Sequence, residues 1–196
     1  MSFTANANGP RGFDVAKGRG GTPGRSVDAR ISGTYSTKIY SGQPVTSHTD
    51  GTLIVLASAA AAVAGVFDGV EYVDANGDIR FSNYWPAPGA VKSGTTVKAR
   101  IYPATGVFLV QASAALTQSQ VGEYADLVAF VGGSDITGRA TAIQLDAANT
   151  DATVQSTNVV QILEISPREE GGDEVGTLAL VQFIRPQFAA NTDAAA

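Results

Sequence analysis

From Ile31 onward the chain alternates short apolar runs with Gly, Asp, Asn and Pro punctuation, the pattern of an all-β protein. TYSTKIY (34–40) alternates and stops at Ser41-Gly42, and a strand-like piece starts at Pro44-Val45 and runs to the turn dipeptide Asp50-Gly51. LIVLAS (53–58) reads as a buried strand, and the Ala run 59–62 as a loop or one helical turn. VAGVFDGVEYVD (63–74) reads as one long strand or as a strand with a bulge at Gly69. DANGD (74–78) predicts a hairpin turn into IRFSNYW (79–85), where Pro86 and Pro88 break the chain. TTVKARIYP (95–103) and GVFLVQAS (106–113) read as a second hairpin around 104–106. In TQSQVGEYADLVAF (117–130), Val121, Tyr124, Leu127 and Val128 sit at helical spacing, and Gly122 interrupts it. AIQLD (142–146), TNVVQILEIS (157–166) and TLALVQFIRP (177–186) follow, the last two as paired strands joined by the acidic loop 167–176.

The fold class expected is all-β: one or two small barrel or sandwich lobes, with at most one or two short helices. Residues 1–30 read as a flexible, basic, Gly-rich arm, because such a stretch buries too little apolar surface to offset its ordering entropy. Residues 31–115 form a first lobe, 116–187 a second, and 188–196 a frayed tail. Val66, Phe67, Val70, Ile79, Phe81, Val97, Ile101, Phe108, Val110, Ile162, Leu163, Leu180 and Phe183 make the expected core.

Charge separates the arm from the rest. Residues 1–30 carry a net +3 and the remainder a net −8. An acidic body argues against a large nucleic-acid surface, which needs a basic stripe. Charged residues are only 16% of the chain, against about 25% in typical domains, which suits a surface covered by partners. Apolar Phe3, Phe13 and Val15, with Arg11, Arg19 and Arg25, are the arm's candidate partner contacts. Tyr84, Trp85 and Pro86 are candidates either to plug the open end of a barrel or to lie in a subunit contact, where such aromatics are favoured.

Catalytic and metal chemistry finds little support. The chain has no Cys and a single His, so Cys-based metal sites and multi-His zinc sites are not expected. KGRGGTPGRS departs from the phosphate-loop pattern: Arg25 stands where the Lys belongs, and no strand precedes it. DANGD lacks the bidentate acid of a calcium loop, since Trp85 occupies that place. His48 beside Asp50 lacks a nucleophile turn and reads as a surface-turn residue. Glu169, Glu170, Asp173 and Glu174 read as a solvated loop. No cofactor is expected. MSFTANANGPRG lacks the apolar core of a signal peptide, and the longest apolar run, 53–67, is shorter than the roughly 18–20 residues of a membrane span. A soluble protein made in a cytoplasm is expected.

Taken in order, SGQPV (41–45), VAGVFDGVEYVDANGDIRFSNYWPAPG (63–89) and VKARIYPATGVFLVQAS (97–113) resemble the decoration, or cement, proteins of tailed-bacteriophage heads. VGEYADLVAFVGGSDITGRATAIQLD (121–146) and EVGTLALVQFIRPQF (174–188) resemble that family's later segments. The resemblance covers about residues 35–187, and the Ala-rich stretch 57–64 and the KGRGGTPGR arm depart from it. It implies a non-enzymatic virion protein on the capsid exterior. Such a protein is often a homotrimer, and it clamps neighbouring major capsid protein subunits and contacts neighbouring cement subunits. Two other classes stay open: another phage structural part (tail tube, connector or receptor-binding module), and a carbohydrate-binding or hydrolytic β domain with NYWPAPG as its aromatic shelf and the acids at 169–174 as its chemistry.

Overall fold

A computed structural model describes residues 9–17, 24–92, 97–165 and 177–187. Phe3, Arg19, the acids at 169–174 and the tail 188–196 lie outside the described residues. The protein is all-β: among the described residues 49% lie in strands and 4% in helix, and no helix reaches seven residues. Among the described residues, no helix is long and apolar enough to cross a membrane.

Sixteen described strands form two six-stranded antiparallel sheets and two small ribbons. The first sheet runs in the order β1 (Asp14–Lys17), β10 (Val107–Gln111), β16 (Leu178–Phe183), β15 (Val160–Ile165), β11 (Tyr124–Leu127) and β14 (Leu145–Asp151). The second runs β2 (Val27–Ile31), β9 (Val97–Pro103), β6 (Gly65–Val73), β4 (Pro44–Ser47) and β5 (Leu53–Val55), with β7 (Ile79–Ser82) paired to β6. The ribbons are β3 (Ile39–Tyr40) with β8 (Tyr84–Trp85), and β12 (Gly133–Ser134) with β13 (Arg139–Ala140).

Period-2 alternation decides which side chains enter each core. On β9 Val97, Ala99 and Ile101 are buried, whereas Lys98 and Arg100 are exposed. β6 spans both cores: Val66 joins the cluster under the first sheet, and Phe67 and Val70 join the cluster under the second. A bulge between Phe67 and Gly69 re-aims the strand between the two, close to where the sequence places it. The hairpin at 74–78 and the pairing of β15 with β16 also form as the sequence predicts. The ambiguous 117–130 stretch resolves into a short 3-10 turn, Gln118–Gln120, followed by strand β11.

Four expectations are corrected. Where it is described, at residues 9–17 and 24–30, the arm is not separate from the body. β1 pairs with β10 and β2 pairs with β9. Phe13 is 2% exposed and packs with Phe108 and Phe183 at centroid distances of 6.1 and 5.0 Å. Gly-rich flanks hide this from a reading of local pattern, because Phe13 is buried by Phe108 and Phe183, 95 and 170 positions away. Second, β9 and β10 do not form a hairpin. After Pro103 the chain crosses from one sheet to the other, with the Ala104 N–H bonded to the Ala64 carbonyl at 3.1 Å. Third, the sheets do not divide at 115, since β10 lies in the same sheet as β15 and β16. Fourth, Ile79 and Phe81 are exposed, at 63% and 76%, because they sit on the face of β7 turned away from the core. Leu163 and Leu180 are half-buried, and the other nine expected core residues are buried.

Candidate interaction surface

The loop 128–140 carries the most exposed large apolar side chain among the described residues, Ile136, at 97%. Val128 and Val131 are also exposed on this loop. Ile136 sits at the tip of the β12–β13 hairpin, which the Gly138 N–H closes by donating to the Ser134 carbonyl at 2.7 Å. Gly138 holds φ +68°, a conformation open to glycine at little cost.

The base of this hairpin is fixed from three directions. Ser41 beside β3 donates its N–H to the Gly138 carbonyl and accepts the Ala140 N–H, both at 2.9 Å. The Arg139 guanidinium donates to Asp14 Oδ1 on β1 at 2.8 Å. Asp135 next to the tip accepts the Tyr40 hydroxyl at 2.8 Å and the Lys38 ammonium. Beneath the hairpin, the Tyr40 ring stacks on Tyr84 at 5.7 Å and 13°. A Cβ at Gly133 would overlap the Tyr40 ring, so glycine permits this close approach. Buried Gln43 completes the base: it takes the Tyr40 N–H on Oε1 and donates from Nε2 to the Phe130 carbonyl, both at 3.0 Å.

The electrostatics follow from this geometry. The Lys38 ammonium and then the Tyr40 hydroxyl hold the Asp135 carboxyl below its usual range. Burial, reinforced by the Asp135 carboxylate, pushes the Tyr40 hydroxyl up to about 12. At neutral pH the anchor is therefore a neutral phenol and an ammonium on one carboxylate. The result is an exposed apolar tip on a hairpin held by hydrogen bonds and ion pairs.

The residues singled out from sequence are dispersed. Tyr84 belongs to the mount. Trp85 is fully buried, its Nε1–H donating to the Tyr35 carbonyl at 3.0 Å, so it is core and not a subunit contact. Pro86 is half-buried. Phe13 is core, and half-buried Val15 packs against the same cluster, so neither stands free as an anchor. Arg11 and Arg25 are exposed. Sequence reading missed Lys38, Asp135, Ile136 and Arg139. The fragment SDITGR (134–139) between two strand-like runs was the one local signal for the last three, as a turn, and Lys38 had none.

Other polar clusters satisfy themselves. The His48 ring and the Thr52 N–H and hydroxyl all bond Asp50 Oδ1, which closes a surface turn and holds that carboxyl down at about 2, with the Thr52 bonds as the main cause. Asp74 accepts the Asn76 and Asp78 N–H groups and Arg80 Nε, as a hairpin turn does. A cleft of about 410 Å³ is lined by Asp126, Asp146 and Asp151. There Asp146 is occupied by the Ala148 N–H and Asn149, and Asp151 by Asn158. Burial raises the Asp126 carboxyl, and the Asp146 charge adds to the rise. Among the described residues, no three His, Cys, Asp or Glu side chains are placed to hold a metal ion.

No family model matches the chain, and neither a curated protein nor a solved structure does.

Proposed function

We propose that this protein is a structural component of a tailed-phage virion that binds the outside of the capsid and cements neighbouring major capsid protein subunits. In this reading it acts as a homotrimer, without catalysis and without a cofactor. The observation that carries the reading is the Ile136 tip, fully exposed yet mounted on Asp135, Lys38, Tyr40 and Arg139. An apolar side chain held out on a hydrogen-bonded hairpin gains burial energy when a partner covers it. The ordered resemblance over residues 35–187 supports the same reading from the sequence. A trimer would present three such tips, and linked weak contacts raise avidity by effective concentration.

Co-sedimentation with purified, undecorated phage shells tests this. Wild type pellets with the shells, and Ile136→Asp stays in the supernatant while keeping its native spectrum. Pelleting of both proteins alike would remove the tip from the contact, and failure of both to pellet would move the tail or receptor-binding reading ahead.

A further inference from the structure

β7 is an open edge. It pairs with β6 and, among the described residues, with no other strand. Val73 lies opposite Ile79, Glu71 opposite Phe81, and the Asp74 N–H bonds the Asp78 carbonyl at the turn. An antiparallel ladder alternates its bonded and non-bonded pairs. From that turn outward, Arg80 and Ser82 therefore bond β6, while the N–H and carbonyl groups of Ile79 and Phe81 point off the free edge. The two side chains share the outer face with Glu71 and Lys98. A groove of about 280 Å³, floored by Val70 and flanked by Lys98 and Arg100, runs beside Phe81. An unpaired edge carrying two large exposed apolar side chains is what native sheets cover.

The chain supplies a cover. Residues 1–8 read Met-Ser-Phe-Thr-Ala-Asn-Ala-Asn, apolar at every odd position and polar at every even one. That is strict strand periodicity, without a side-chain charge to desolvate. The segment also starts from the right place. The Phe13 N–H bonds the Gly42 carbonyl at 2.8 Å, and the adjacent Ser41 N–H bonds the carbonyl of Asn83, one residue past β7, at 3.0 Å. Eight extended residues span about 26 Å, twice the roughly 13 Å of a four-residue strand. Residues 166–176, by contrast, hold four acids, three glycines and no alternation.

We infer that β7 is a strand-acceptor edge whose occupant is residues 1–8 of the same chain. They lie parallel to β7, with residue 8 near Asn83, and bring Met1, Phe3, Ala5 and Ala7 onto the face that carries Ile79 and Phe81. This concerns the free protein and is independent of shell binding.

Amide hydrogen exchange by NMR tests it on the full chain, on a truncation lacking residues 1–8, and on Phe3→Asp. The amides of Ile79 and Phe81 should exchange about tenfold or more slowly in the full chain than in either variant, at every protein concentration. Equal exchange in all three overturns the inference. Protection that disappears on dilution also overturns it, by assigning the edge to a neighbouring copy. Unchanged emission from the buried Trp85 reports an intact fold, and where the truncation disturbs it, Phe3→Asp decides alone.

Discussion

Phe13→Ala tests whether the N-terminal region is built into the body. Phe13 is buried against Phe108 and Phe183, which also contact each other at 5.3 Å. Losing the ring forfeits about 2–3 kcal/mol of transfer free energy. A residual cavity of roughly 80 Å³ would add about 2 kcal/mol at 24 cal/mol per Å³. Partial collapse of the site reduces the sum, so a loss of about 3–5 kcal/mol is expected. In a chain of this length that lowers the melting temperature by roughly 6–20 °C. Urea unfolding followed by Trp85 emission measures it, with the midpoint shifting and the slope unchanged. A loss below about 1 kcal/mol would mean that Phe13 lies off the core in solution, as a free arm requires, and would refute the packing described above. Deleting residues 1–30 removes Phe13, β1 and β2 together, so the remainder should fail to reach the native state.

The other predictions concern the mount and the second core. Ile136→Asp should change stability by no more than about 0.5 kcal/mol in thermal unfolding, since the side chain touches almost nothing. Tyr40 has a raised folded pKa of about 12 against 10.0 for the free side chain, so its contribution is complete below pH 10 and lost as pH rises toward 12. Asp135→Asn should lower that pKa in a phenolate absorbance titration, and an unchanged titration would show that the carboxylate does not face the hydroxyl. Trp85→Phe leaves the Tyr35 carbonyl without its donor and should cost about 1–3 kcal/mol in urea unfolding. The same substitution should leave oligomer size unchanged by light scattering, because Trp85 is interior.

Local chemistry made much of this fold legible. VKARI alternates so cleanly that its buried and exposed positions follow from period two, and DANGD specifies its own turn through the Asp74 carboxylate. Period two fixes a face without saying which face is inside. IRFS shows this: its apolar pair faces out, and Arg80 lies on the other side. Phe13 was illegible for a different reason, since one aromatic between glycines has no period. The turn signal at 104–106 was real, but a turn between sheets and a turn within a hairpin read alike. The mount of the Ile136 tip was hidden by distance. Lys38 and Asp135 are 97 residues apart, and Arg139 reaches Asp14 across 125. Neither pair leaves a mark in a local window.

Reinforcement of a shell is measured most directly by adding the purified protein back to phage capsids that lack it and heating them. Coated capsids should retain their DNA to a higher temperature than bare ones, the gain rising with added protein until the sites fill and failing with Ile136→Asp. Bare and coated capsids that release DNA at the same temperature, with protein demonstrably bound, would contradict a cementing role.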